Sequence, residues 1–223
     1  MFRPSRRPAF FTDRRGAITM EFAIWFPLLL LWLVASAVIY DAYRSRDAAI
    51  KASYTVSDIA SRLTTLVDND PNGADLSDLV ELQRRMLPRG GDQLAMRLSS
   101  IQCTRVLGCF SDTNNAYVPD VADFVVNWSV VPDQDEWPLG FMPPVPIQTG
   151  IEPGNIGAVP LGVLPPMDHL DVVMIVDMWV PFTPFTTFAG FGADTWEYRV
   201  PVRPRFVPLI GLTTSEANVF INP

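Results

Sequence analysis

The side chains that could do chemistry are few in this sequence of 223 residues. Its one histidine, His169, follows Asp168, but no nucleophile motif lies near the pair, so a Ser-His-Asp triad is not indicated. A zinc site needs more ligands than one histidine and two cysteines supply. The sequence has no Walker or GxGxxG loop for nucleotide phosphates. We therefore expect neither enzymatic activity nor a cofactor, and we interpret Asp168-His169 as a solvated turn.

A weak calcium-binding pattern occurs at Asp68, Asp70 and Asn72, which match ligand positions at the start of an EF-hand loop. The twelfth position of such a loop supplies a bidentate carboxylate, and here that position is Leu79. The segment is also rich in Asp, Asn, Pro and Gly, which are typical of turns. We therefore predict no metal site there, and we interpret the segment as a turn in which Asp75 caps the following helix.

Cysteine chemistry is restricted to Cys103 and Cys109, which enclose five residues at the end of a predicted strand. In an exported protein such a pair is by default a short-loop disulfide. A loop of this size would stabilise the fold by roughly 2–3 kcal/mol in the chain-entropy model. We predict this disulfide in the domain that follows the membrane segment.

Glu21 is the most informative charged residue, because it lies directly before an uncharged run of 19 residues from Phe22 to Tyr40. Such a run is about long enough to cross the hydrocarbon core of a bilayer as a helix. Residues 1–16 contain five arginines and one acidic residue, which predicts a cytoplasmic N-terminus and an exported body. A carboxylate at the edge of a membrane segment is costly, and such residues usually have a function.

Three interpretations of this N-terminus are open. One is an uncleaved signal anchor. The second is a secretory signal peptide, because the small residues Ala35, Ser36 and Ala37 fit a cleavage pattern that would release a chain starting at Val38. In the third, the segment RRGAITMEF resembles the processing site of type IV pilin-like proteins, which a prepilin peptidase cuts after a glycine.

In the pilin-like interpretation the cut falls between Gly16 and Ala17, and Glu21 becomes the fifth residue of the mature chain. Residues 14–42, with an early Pro27, are similar to the N-terminus of TadE-like proteins, the minor pseudopilins of tight-adherence (Flp-type) pilus systems. Residues 164–206 resemble the end of that family more loosely. The middle of the chain matches no pattern that we can assign.

This resemblance implies a minor pseudopilin that acts in the biogenesis or assembly of an Flp-type pilus, in which Glu21 neutralises the N-terminal amine of a neighbouring subunit. It also implies a single-pass protein of the bacterial inner membrane, whose partners are the prepilin peptidase, other pilins or pseudopilins, and the assembly machinery. The net charge is −7, and because residues 1–16 carry +4 the rest of the chain carries −11, which argues against nucleic-acid binding. The alternative is a membrane-anchored or secreted periplasmic binding domain with no pilus role.

The apolar pattern predicts one long helix from Ala17 to Val67, and a second helix from Leu76 to Leu87 that Pro88 ends. Beyond the membrane segment, small and apolar residues recur mostly at spacings of three and four, which marks one buried helix face. These residues are Ala42, Ala49, Ala52, Val56, Ile59, Leu63 and Leu66.

Four later segments predict strands, at residues 92–103, 121–131, 170–180 and 195–206. The second and third are rich in β-branched and aromatic residues, and the first and last alternate at least partly between two faces. No helix is predicted between them, which favours an antiparallel sheet of about four strands. Pro201 and Pro204 predict that the last of these strands lies at an edge or contains bulges. The expected organisation is a leader at 1–16, a helix at 17–67 and a pilin-like periplasmic α+β domain at 68–223. We expect a Pro- and Gly-rich loop at 132–167 to wrap its own domain.

Overall fold

The computed structural model describes residues 15–67, 76–87, 94–109, 119–132, 145–148, 157–184, 192–213 and 219–221. For residues 15–19, 213 and 219–221 it describes the backbone alone. The fold is α+β, as the sequence predicts: a long N-terminal helix and a short second helix pack on an antiparallel sheet.

Helix α1 runs without a break from Arg15 to Arg62, with Pro27 inside it, and spans about 72 Å at the standard rise. The predicted end at Val67 is wrong. Residues Thr65–Val67 instead form strand β1, which pairs in parallel with strand β6, Gly211–Thr213. This short stretch contains two β-branched residues and pairs with a strand near the far end of the chain. That pairing outweighs the helical spacing of its apolar residues.

Helix α2, Leu76–Met86, ends within one residue of its predicted position. It buries Leu76, Leu79 and Val80, while Arg85 pairs with Glu81 at 2.7 Å on the exposed side. The apolar residues recur at helical spacing, so they lie on one buried face of α2. This helix packs against α1.

The main sheet contains the four predicted strands: β2 (Ala95–Cys103), β3 (Phe124–Val130), β4 (Val172–Phe182) and β5 (Asp194–Val202). A fifth strand that we did not predict, β7 (Val219–Ile221), extends the sheet beside β3, and the order is β5-β4-β2-β3-β7. All neighbours in this sheet are antiparallel. Strand β5 lies at an edge, as its prolines predict.

Both faces of the sheet are covered, which explains why β4 is apolar along nearly its whole length. On one face, the second half of α1 and helix α2 pack against alternate residues such as Met96, Leu98 and Val176. On the other face, Ile101, Val173 and Ile175 pack under the loop that precedes β4. The domain is therefore a stack of helices, sheet and loop.

The described parts of the Pro- and Gly-rich loop, residues 145–148 and 157–167, pack on their own domain, as expected for the loop. Ile147, Val159 and Met167 are buried against the sheet, and Leu161 and Leu164 are partly buried there. A polar contact also holds the loop on the sheet: the Ile147 amide donates a hydrogen bond to the Ser129 hydroxyl at 2.9 Å.

Candidate membrane anchor and assembly site

The first half of α1 is an unusual surface for a protein in water, because every described side chain from Met20 to Leu33 is exposed. Among the described residues, one helix is long and apolar enough to cross a membrane, the Met20–Arg62 part of α1. The mean hydropathy of its most apolar window is 2.4. Soluble monomers rarely expose a continuous apolar surface of this size, and such surfaces are typical of segments that contact a membrane or a partner.

The domain begins to cover α1 before the apolar run ends. Val38 is only 1% exposed, and Ser45 and Ala49 are buried further along the helix. Tyr40 is 69% exposed on the outer side of the same stretch. The apolar run from Phe22 to Tyr40 is therefore free on all sides at first and packed on one side at its end, with no linker between helix and domain.

Glu21 lies on α1 beside Met20 and Phe22, whose side chains are 70% and 64% exposed. Its carboxylate is exposed in the isolated chain and is surrounded along the helix by apolar residues. Gly16 and Ala17 lie in the first turn of the described helix. Ala17 and Glu21 are four residues apart, so they lie on the same face of α1, about 6 Å apart along its axis.

Cys103 and Cys109 form the predicted disulfide, with the sulfur atoms 2.06 Å apart and the Cα atoms 5.9 Å apart. A β-bridge from Cys109 to Met167 ties this small loop to the turn before β4. The pair lies at the end of β2 that is remote from the apolar half of α1, so it braces the far end of the sheet.

The other residues considered for chemistry are not brought together. Asp168 and His169 lie exposed in a turn. Within the described ranges, no group of three or more His, Cys, Asp or Glu side chains is placed to hold a metal ion. The weak calcium pattern at Asp68, Asp70 and Asn72 falls outside the described residues.

A buried ion cluster was missed by sequence reasoning. Asp177, in the interior strand β4 between β5 and β2, is 0% exposed and accepts hydrogen bonds from Arg97 (Nε to Oδ2, 2.8 Å) and from Arg199. Arg97 also donates to the Val145 carbonyl at 2.9 Å and lies over the Trp179 ring. The signal was available, because an aspartate in the run VVMIVDMWV must have a partner if that run is buried.

One tyrosine near the base of the domain has a shifted acidity. Burial raises the pKa of the Tyr198 phenol above its ordinary value of 10.0, and the Arg46 guanidinium lowers it in part. Tyr198 packs against two groups of buried apolar residues under α1. One contains Met96 and Leu98, and the other contains Ala49, Leu94 and Val180.

No protein-family model matches this chain, and neither does any curated protein or any solved structure.

Proposed function

We propose that this chain is a TadE-like minor pseudopilin that acts in the biogenesis or assembly of an Flp-type pilus. Its leader is removed between Gly16 and Ala17 by a prepilin peptidase, and its α+β domain is periplasmic. The observation that carries this proposal is the position of the Gly16–Glu21 pattern, at the start of a helix that continues unbroken to Arg62.

The continuity of α1 favours a pilin-like role over a simple tether. A tether needs only an anchor and a flexible connection, whereas here the membrane half and the domain half are one continuous helix. Because Val38 is already buried, no flexible connection separates the membrane half of the helix from the domain. This suits a subunit whose helix must be inserted, drawn out of the membrane or packed beside others.

Glu21 fits the assembly step by its electrostatics. A carboxylate in lipid is costly alone, and a cationic partner offsets that cost. Cleavage after Gly16 creates such a cation, the amine of Ala17. Within one chain, the Ala17 amine and Glu21 lie on the same face of α1. When two such helices pack side by side and one is shifted along the helix axis, the Ala17 amine of one chain can meet Glu21 of the other.

The alternatives gain less support. A binding domain that used loop 132–167 would need that loop free, but its described parts are packed on the sheet through Ile147 and Val159. Release by signal peptidase would require a cut after Ala37, in the interior of α1 and next to the buried Val38.

The test is a set of variants in a strain whose own copy is deleted. Deletion should abolish or reduce pili, and the wild-type chain should restore them. Glu21→Ala should still insert in the membrane, since it removes a charge from an apolar segment, but it should assemble poorly. The matched control is Asp47→Ala, which removes a carboxylate from the same helix beyond the membrane run and breaks only an exposed pair with Lys51.

Membrane insertion is read by carbonate extraction, and assembly by pilin in the sheared surface fraction. Normal pili after deletion would refute the pilus role. Normal pili with Glu21→Ala, in a strain where deletion abolishes them, would refute the pairing role of Glu21 alone.

A further inference from the structure

An open cavity of about 330 Å³ lies where α1 leaves its apolar run and meets the edge strand β5. It is lined by Ile39, Ala42, Tyr43 and Arg46 of α1 and by Trp196 of β5. This volume is at the lower end of the range for small-molecule sites. Its lining combines apolar and aromatic side chains with one guanidinium.

The depth of this cavity follows from the helix rise. The apolar run ends at Tyr40, and Arg46 lies six residues further, or about 9 Å along the axis. The headgroup layer on each side of a bilayer is roughly 5–8 Å thick. Because the domain packs on α1 from Val38 onward, no spacer lifts the cavity away from the bilayer. If α1 spans the membrane along this run, the cavity extends from the hydrocarbon edge at Ile39 across the headgroup layer to its outer limit at Arg46. The Arg46 side chain leans back towards the bilayer, because side chains on a helix tilt towards its N-terminus.

The lining matches the chemistry of that layer. The Trp196 ring stacks on the Phe182 ring, with centroids 4.6 Å apart and planes at 12°. This stacking holds the Trp196 ring in place as one side of the cavity. Tryptophan and tyrosine rings favour the membrane interface because they are apolar on one side and polar on the other. A guanidinium binds phosphate oxygens through paired N–H donors. Among the described lining residues, Arg46 is the charged one.

We propose that this cavity binds the headgroup of an anionic phospholipid from the bilayer in which α1 is anchored. The phosphate contacts Arg46, and the glycerol and first acyl carbons pack against Ile39 and Trp196. Such a lipid would fix the height and tilt of the domain over the membrane. The site requires only that α1 spans a membrane, and it does not depend on the pilus role.

The test uses the full chain in a neutral detergent, titrated with phosphatidylglycerol or with zwitterionic phosphatidylcholine, and native mass spectrometry to count bound lipids. The wild type should bind one phosphatidylglycerol in preference to phosphatidylcholine. Arg46→Gln should weaken that binding by about tenfold or more, since a charged hydrogen bond is lost. Trp196→Leu should weaken binding of both lipids, and a near-UV spectrum confirms that each variant is folded.

Arg44→Gln is the matched control, because it removes the same charge from an exposed position two residues away that does not line the cavity. It should bind phosphatidylglycerol like the wild type. Equal losses in Arg44→Gln and Arg46→Gln would show general charge attraction and would overturn the proposal. So would the absence of any preference between the lipids, or displacement of the lipid by millimolar inorganic phosphate, which would identify a simple anion site.

Discussion

Replacing Asp177 by alanine is the most informative perturbation of the domain itself. The Asp177 carboxylate is fully buried in the interior strand β4 and lies between two guanidinium groups. Arg97 is 4% exposed, so its charge has little access to water once the carboxylate is removed. Arg199 is 25% exposed and also pairs with Glu197 at 2.8 Å, so it keeps a partner.

The magnitude follows from this asymmetry. Breaking a buried ion pair by removing one partner typically costs about 3–5 kcal/mol, because the other charge stays buried without compensation. The Val145 carbonyl and the Trp179 ring still contact Arg97, so we expect a loss near the lower end, about 3 kcal/mol. For a domain of this size that corresponds to a fall in Tm of roughly 6–12 °C.

The assay is thermal and urea unfolding of the full chain in mild detergent, followed by near-UV circular dichroism of the domain. The control is Asp171→Ala, which removes a carboxylate at the start of the same strand from a more exposed pair with Arg203, 2.9 Å long. That variant should lose less than about 1 kcal/mol. The double variant Arg97→Met with Asp177→Leu should recover most of the stability lost in Asp177→Ala, since it leaves no unpaired charge at that pair.

A loss of less than about 1 kcal/mol in Asp177→Ala, no larger than in Asp171→Ala, would refute this reasoning. It would mean that water reaches the cluster or that the sheet reorganises around Arg97.

Two further predictions concern the two ends of the domain. Replacing both Cys103 and Cys109 by serine should lower the free energy of unfolding by roughly 2–3 kcal/mol in the chain-entropy model, measured by urea denaturation, and an unchanged midpoint would contradict it. The domain should lose stability as the pH rises above 10, because the pKa of Tyr198 is raised in the folded state and its proton is held more tightly there than in the unfolded chain. Tyr198→Phe should flatten that alkaline loss relative to the wild type, and an equally steep loss in both proteins would show that another group causes it.

The sequence predicts the architecture well where residues alternate or repeat over several turns. The helical stripe at Ala49, Ala52 and Val56 is buried as expected, and the four main strands lie close to their predicted places. Leu66 is also buried as expected, but in β1 and not in α1. The helical spacing thus predicted correctly that Leu66 is buried. Its place in a strand depends on pairing with β6, which is distant in the sequence.

The remaining features depend on contacts between distant parts of the chain. Strands β6 and β7 have three residues each, too few to show a period. In β3, Asn127 has no partner residue in β2, because the register between the two strands shifts there. No local sequence pattern predicts that bulge. The cavity at the base of the domain needs α1 and Trp196 side by side, and only the folded sheet brings them together.

The central claim is the cut between Gly16 and Ala17, and the intact mass of the mature chain tests it most directly. The chain is expressed with and without a prepilin peptidase, together with Ala37→Leu, which blocks the competing signal-peptidase pattern. We predict a chain that starts at Ala17 only when the peptidase is present, in the wild type and in Ala37→Leu alike. A chain that starts at Val38, or one that keeps its leader beside an active peptidase, would contradict the account.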